Sequence, residues 1–175
     1  TWRHRASQTS GYGLSEAPGA AYAYNDFALA LYYQTLMERV YQADGTAVLA
    51  SRLAGPLGFQ DAYTYDTFSN DRTGRLSLSM RDFARFGLLY LREGAWNGQQ
   101  VLRRDLLKMA ISSPVPANIP HTRREYAEML PGQRSMGGTR HITTEGPGYY
   151  SFNWWLNGSQ LLHQARYPAL PGDAY

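Results

Sequence analysis

PGAAYAYNDFALALYY, Pro18 to Tyr33, decides how this chain is read. Pro-Gly marks a turn. From about residue 26 the apolar residues recur at helical spacing. Leu29, Tyr33, Leu36, Met37 and Val40 fall on one face, and Gln34, Glu38 and Gln42 lie away from it, so a helix is predicted over about 26–43. Tyr24-Asn25-Asp26 stands between turn and helix. Asn25 or Asp26 can cap the helix by accepting from its first free N–H groups. Taken alone, the triplet is a tyrosine that packs and an acid that caps. It is also a place where a phenol can be held rigidly, beside a helix N-terminus that favours negative charge. A tyrosine next to a lysine can take a proton from a serine nucleophile and return it.

Outward from this stretch, residues 1–23 read as loop, with Thr9-Ser10-Gly11-Tyr12-Gly13 at their centre. Asp44-Gly45 is expected to end the first helix. A short helix over about 46–54 is expected to stop before the turn Pro56-Leu57-Gly58. Ser79 and Asp82 stand in capping-box spacing ahead of a helix over about 80–93, whose expected apolar face is Phe83, Phe86, Gly87 and Tyr90. Asn97-Gly98 signals a tight turn, and 103–111 a further short helix. The stretch from Ser112 to Pro147 is rich in proline, glycine and polar residues and reads as a long, partly irregular segment of the kind that often carries function. In YYSFNWWLNGSQLLH, two strand-like runs flank Asn157-Gly158, a hairpin signal. Trp154 and Trp155 read as core-packing residues. Helices followed by a hairpin predict an α+β fold rather than βαβ units.

At 175 residues the chain suits one domain with a real core. Hydrophobic residues make up 43% and charged residues 18%, which excludes a disordered tail. No apolar stretch approaches the roughly 18 residues of a membrane span. The net charge is +3, and every basic residue except Lys108 is an arginine. The arginines are interspersed with acids. Only Arg103-Arg104 and Arg123-Arg124 are paired, so no nucleic-acid face is expected. The absence of cysteine excludes disulfides, cysteine nucleophiles and thiolate metal sites. His4, His121, His141 and His163 are scattered. His141 and Glu145 have i, i+4 spacing but no helical context, so no metal is expected. Gly13-Leu14-Ser15-Glu16-Ala17 lacks the last glycine of a nucleophile elbow, and no phosphate loop or signal peptide is visible.

In wider context, Pro18-Gly19-x-x-Tyr22-x-Tyr24-Asn25-Asp26 resembles the P-G-x-x-F-x-Y-S-N segment of the serine β-lactamase-related hydrolases, which include class C β-lactamases, DD-peptidases, esterases and amide hydrolases. Further landmarks follow in register. Ser7-Gln8-Thr9-Ser10-Gly11 resembles the S-H-T-S-G loop, and Pro56-Leu57-Gly58-Phe59-Gln60-Asp61 resembles the P-L-G-M-x-D turn. Residues 75–87, RLSLSMRDFARFG, resemble the G-L-x-S-T-A-x-D-L-A-R-F-G helix start. Trp96-Asn97-Gly98-Gln99 and Phe152-Asn153-Trp154-Trp155 match later landmarks, and the resemblance thins between about 112 and 148.

The resemblance implies an α/β transpeptidase-like (β-lactamase-like) fold. This chain would be a single partial domain over 1–175, mostly the helical subdomain plus a C-terminal β-hairpin. It implies a serine hydrolase that attacks an amide, lactam or ester of a small molecule or peptide through an acyl-serine, without cofactor or metal. Tyr24 would be the proton-transfer residue. Asp26 would stand where the family has asparagine, as the partner of a catalytic lysine. An ionised Asp26 accepts hydrogen bonds but donates none, which favours an esterase, amidase or peptidase over an efficient β-lactamase. The S-x-x-K motif is absent, since Lys108 is preceded three residues earlier by Asp105, and neither K-T-G nor H-x-G occurs. The expectation is therefore a middle fragment of a longer hydrolase, inactive as it stands. Family habit points to the periplasm or the cell exterior, although esterase-like members also work inside cells. The alternative is a non-catalytic binding or regulatory protein derived from the penicillin-recognising fold.

Overall fold

The computed structural model describes residues 1–68, 72–112, 115–116, 119–124, 126–130, 133–136 and 150–156. The chain forms two compact units, one of Thr1–Leu29 with Met109–Tyr175 and the other of Ala30–Lys108. Helices and small antiparallel two-stranded sheets alternate through both, so the architecture is α+β in the general sense. The sheets are interspersed among the helices rather than following them.

In the first unit, helix α1 (Trp2–Ala6) occupies part of what reads in the sequence as loop. Its signal is a single cap, the Thr1 hydroxyl accepting the His4 N–H at 3.3 Å, too brief for any periodicity to register. Helix α2 begins at Asp26 and runs to Thr35, then continues as a π-helix from Leu36 to Tyr41, within the predicted span. The predicted apolar face is not buried: Leu29, Tyr33, Leu36 and Met37 are half-buried and Val40 is 58% exposed. The described part of the 112–147 segment is not wholly irregular. Strands β5 (Tyr126–Leu130) and β6 (Gln133–Met136) pair there as an antiparallel hairpin. Strands β7 (Tyr150–Ser151) and β8 (Trp154–Trp155) form another. What reads as one strand before Asn157-Gly158 is thus itself a hairpin. Its two-residue turn, Phe152-Asn153, has φ of 43° and 69°, the left-handed pair that such turns need and that asparagine tolerates. Asn157-Gly158 lies outside the described residues.

The interior of this unit mixes apolar and polar side chains. Alongside Tyr22, Ala23, Ala28, Tyr150 and Leu156 it buries Ser7, Gln8, Thr9, Asn25, Thr122 and Ser151.

In the second unit the first helical run ends at Gln42, which takes the left-handed conformation, φ 51°. Asp44 does not end it. Its carboxylate accepts the N–H groups of Thr46 and Ala47 and so caps the next helix, α3 (Gly45–Leu49). That helix passes through a π-helical stretch (Ala50–Ala54) into α4 (Gly55–Leu57). Pro56 lies inside this continuous helical run, where it cannot donate a backbone hydrogen bond, and the run ends two residues later at Gly58 in the left-handed conformation. Gly45 is demanded by packing, because a Cβ there would strike the hydroxyl of Tyr33, whose ring lies 5.1 Å from that of Tyr65.

Strands β1 (Thr64–Phe68) and β2 (Arg72–Ser77) pair antiparallel and lead to α5 (Met80–Leu91). Ser79 caps α5, its hydroxyl accepting the Asp82 N–H at 3.2 Å. The reciprocal half of the capping box is replaced. The fully buried Asp82 carboxylate turns instead to the backbone N–H groups of Gln60 and Asp61, at 3.1 and 3.0 Å, and to Arg85 at 2.6 Å. This sets the helix rotation and corrects the expected apolar face. Asp82 and Leu89 point inward, whereas Phe83 is 51% exposed. Phe86 and Tyr90 still meet edge to face at 5.1 Å. Strands β3 (Ala95–Trp96) and β4 (Gln99–Gln100) close on the expected Asn97-Gly98 turn, both residues at positive φ, and α6 (Arg104–Ala110) follows.

Candidate functional site

Tyr24 lies in the first unit, at the mouth of α2. In the run Ala21–Asn25 every residue is buried except Tyr24, which is half-buried. The backbone on both sides of it is tied to Gln8. The Ala23 N–H donates to the Gln8 carbonyl at 2.9 Å, and the Asn25 N–H donates to Gln8 Oε1 at 2.9 Å. Gln8 is 2% exposed and holds a left-handed backbone, φ 58°.

Asn25, not Asp26, is the cap. Its Oδ1 accepts the Ala28 N–H at 3.0 Å, and its Nδ2 donates to the Tyr12 carbonyl at 3.2 Å. Asp26 is the first residue of α2, where a negative charge suits the helix dipole. Its side chain lies outside what the structure describes.

The tyrosine ring is held as firmly as the backbone. Tyr150 presents its ring perpendicular to Tyr24, centroids 5.8 Å apart and planes at 89°, and touches Tyr22 at 6.3 Å. The Tyr150 hydroxyl donates to Asn153 Oδ1 at 3.2 Å, and the Asn153 N–H donates to the Ala6 carbonyl at 3.1 Å. Tyr22 is fully buried, and His121 meets it edge to face at 5.5 Å. A short parallel bridge sets this pair. The Tyr22 N–H donates to the Pro120 carbonyl at 2.9 Å, and the Thr122 N–H donates to the Tyr22 carbonyl at 2.8 Å. Burial pushes the His121 imidazole below its ordinary range, so it is the neutral form that packs here.

Beside this bridge, Glu16 Oε1 accepts from the Thr122 hydroxyl at 3.0 Å and the Arg123 N–H at 3.2 Å. Desolvation would raise the Glu16 carboxyl. The hydrogen bonds from the Arg123 backbone, its own N–H and Thr122, with the charge of Arg124, outweigh it and lower its pKa. The Ser10–Ala17 loop needs Gly11 at φ 63°, where a Cβ would also strike the Glu16 carbonyl.

In the first unit, several buried polar atoms have no hydrogen-bond partner among the described residues, including His4 Nδ1, Ser7 Oγ, Gln8 Nε2, both ring nitrogens of His121 and Ser151 Oγ. Such atoms are rare in folded interiors and tend to mark sites. Tyr22, Tyr150, Gln8 and His121 carry no motif that the sequence exposes as functional. They join the site through tertiary contacts. Gln8 and Tyr22 lie within segments singled out by the resemblance; Tyr150 and His121 do not. The described residues contain no group of three or more metal-ligating side chains, and no described helix is long and apolar enough to cross a membrane.

Chemically, the site offers one partly accessible phenol, fixed in backbone and in ring, at a helix start and surrounded by buried aromatics. No family model, curated protein or solved structure matches the chain.

Proposed function

We propose that this chain supplies the proton-transfer tyrosine of a serine hydrolase related to the β-lactamases, with Tyr24 in that role. The observation that carries the reading is the setting of Tyr24. It is the one accessible residue in a buried run, anchored on both sides by Gln8 and on its ring by Tyr150. Rigid placement of an acid/base group is what proton transfer in a transition state requires.

Further support comes from how the resembling segments meet. The S-Q-T-S-G loop and the Y-N-D segment are joined through Gln8, and the F-N-W-W segment meets the end of α1 just before that loop, where the Asn153 N–H donates to the Ala6 carbonyl. In the second unit, Asp82 joins the P-L-G-F-Q-D turn to the S-M-R-D helix start. These are long-range pairings between motifs that the sequence can only set in order.

In the proposed reaction a serine hydroxyl attacks the carbonyl of an amide, lactam or ester. Its proton passes to the Tyr24 oxygen and then to the leaving group, and water releases the acyl-serine. A lysine keeps the phenol acidic enough to act, and Asp26 partners that lysine. The serine and lysine must come from residues other than these, because S-x-x-K does not occur here. The substrate would be a small molecule or peptide.

The test is intact-protein mass spectrometry of the full-length gene product after exposure to p-nitrophenyl acetate and to penicillin G. A mass increase by one acyl group or one penicillin, mapping to a serine of S-x-x-K, is the expected result. Absence of any adduct turns the reading to a non-catalytic binding protein. The aspartate at position 26, where the family has asparagine, favours that alternative.

A further inference from the structure

Away from Tyr24, the first unit contains a cavity of about 170 Å3 lined by Arg3, His4, Ser7, Thr9, Val115 and Ile119, among others. Its lining is mixed. Val115, Pro116 and Ile119 are apolar, and Ser7, Thr9, His4 and Arg3 are polar. Ser7 is 4% exposed and its hydroxyl has no partner among the described residues. His4 Nδ1 is likewise buried without a partner. Gly19 adds to the opening, since a Cβ there would come within 3.4 Å of His4 Nε2.

Arg3 brings a full positive charge with five N–H donors. Among the described residues it makes one side-chain hydrogen bond, a weak one to Met109 Sδ at 3.2 Å. No carboxylate is among the described residues that line the cavity. A buried hydroxyl without a partner is costly in an empty protein and becomes useful when a ligand accepts from it. The cavity has room for a ligand of a few heavy atoms, far more than one water occupies.

We propose that this cavity binds a small aliphatic carboxylate. The carboxylate accepts from the Ser7 hydroxyl and the Arg3 guanidinium, and the short hydrocarbon tail lies against Val115, Pro116 and Ile119. Charge selects the head, because bonds from a guanidinium to a carboxylate are about twice as strong as neutral ones. Size selects the tail. The inference stands apart from the reading of Tyr24, since no residue lining the cavity belongs to the Tyr24–Tyr150 contact.

The test uses the full chain labelled with 15N and titrated with butyrate, with butyramide as the uncharged isostere and inorganic phosphate as an anion without a tail. Saturable shifts of the Ser7, Thr9, Gly19 and Val115 amides with butyrate, and weak or no shifts with the other two, are expected. Arg3→Gln, at an exposed position, is expected to weaken butyrate about tenfold or more. Ser7→Ala is expected to weaken it several-fold while leaving the ligand-free melting temperature unchanged or higher. Equal response to butyrate and butyramide, shifts confined to other residues, or unaltered butyrate affinity in a folded Arg3→Gln would overturn the proposal. Tight binding of phosphate alone would overturn the aliphatic part and with it the stated ligand class.

Discussion

The side chain of Gln8 accepts the backbone N–H of Asn25 at 2.9 Å, across seventeen residues of sequence. The Gln8 carbonyl takes the Ala23 N–H at the same distance, so one buried residue fixes the chain on both sides of Tyr24. These two bonds should respond differently to mutation. Gln8→Ala removes the side-chain acceptor and keeps the carbonyl. It leaves a buried N–H on Asn25 unsatisfied, at a cost of about 1–3 kcal/mol. Urea unfolding should show a lower midpoint with an unchanged slope. Amide hydrogen exchange should accelerate at Asn25 more than at Ala23. Equal exchange at both sites in the variant would mean that Gln8 Oε1 is not the anchor.

The second unit offers a test by rescue. Gly45 is in the helical region of backbone space, so it is required by the Tyr33 hydroxyl above it and not by its own conformation. Gly45→Ala should destabilise by about 1–3 kcal/mol, the usual cost of overpacking. Tyr33→Phe removes the nearest clashing atom and should recover part of that loss in the double variant, since the ring carbon that carried the hydroxyl stays 2.9 Å from the added Cβ. Strict additivity of the two changes, measured by denaturant unfolding, would contradict the packing described here.

His121 predicts a pH dependence. Burial lowers its pKa in the folded chain from the ordinary 6.5. Above pH 6.5 both folded and unfolded forms are neutral there, and His121 adds no slope. Below it the unfolded chain takes up a proton that the folded chain resists. Stability should therefore fall as pH drops below 6.5 and level off once the folded imidazole titrates. His121→Phe keeps an aromatic ring against Tyr22 and should flatten this part of the profile. An unchanged slope between pH 6.5 and 5 in thermal melts of that variant would show that another group carries it.

The Asp82 carboxyl moves the acid limb. Burial alone would raise it, but the N–H groups of Asp61 and Gln60 and the Arg85 guanidinium outweigh that and lower its pKa from the ordinary 3.8. Its contribution is fully present above that value and is lost as pH falls through the lower folded value. Asp82→Asn should lower the melting temperature at neutral pH and reduce the loss seen below pH 4. A variant with wild-type acid sensitivity would contradict this.

Local signals in the sequence carried much of the architecture. The apolar spacing after Asn25 marks α2, Ser79 marks the start of α5, and Asn97-Gly98 marks its turn, because each is set by residues a few positions apart. The partners of these signals were not legible. Asp82 looks like half of a capping box, yet its carboxylate serves a loop more than twenty residues earlier. Asp44 looks like a stop for one helix and is the cap of the next. In the candidate site, Tyr24 stands out as a sequence feature, whereas Tyr150 and His121 reach it or its neighbour Tyr22 only through tertiary packing. Phe152-Asn153 was obscured by the louder Asn157-Gly158 beside it, since asparagine tolerates the left-handed turn without a glycine after it.

The most direct test of the central claim is the single-turnover acylation rate of the full-length gene product by p-nitrophenyl acetate, wild type against Tyr24→Phe. The exchange removes one oxygen from a half-buried ring and leaves the Gln8 anchors intact, so the variant should fold, as circular dichroism would check. The account predicts a loss of about 10²–10⁴-fold in acylation, the usual range for a positioned acid/base group. An acylation rate within about twofold of wild type in a folded Tyr24→Phe protein, or no acylation of the wild type at all, would contradict it.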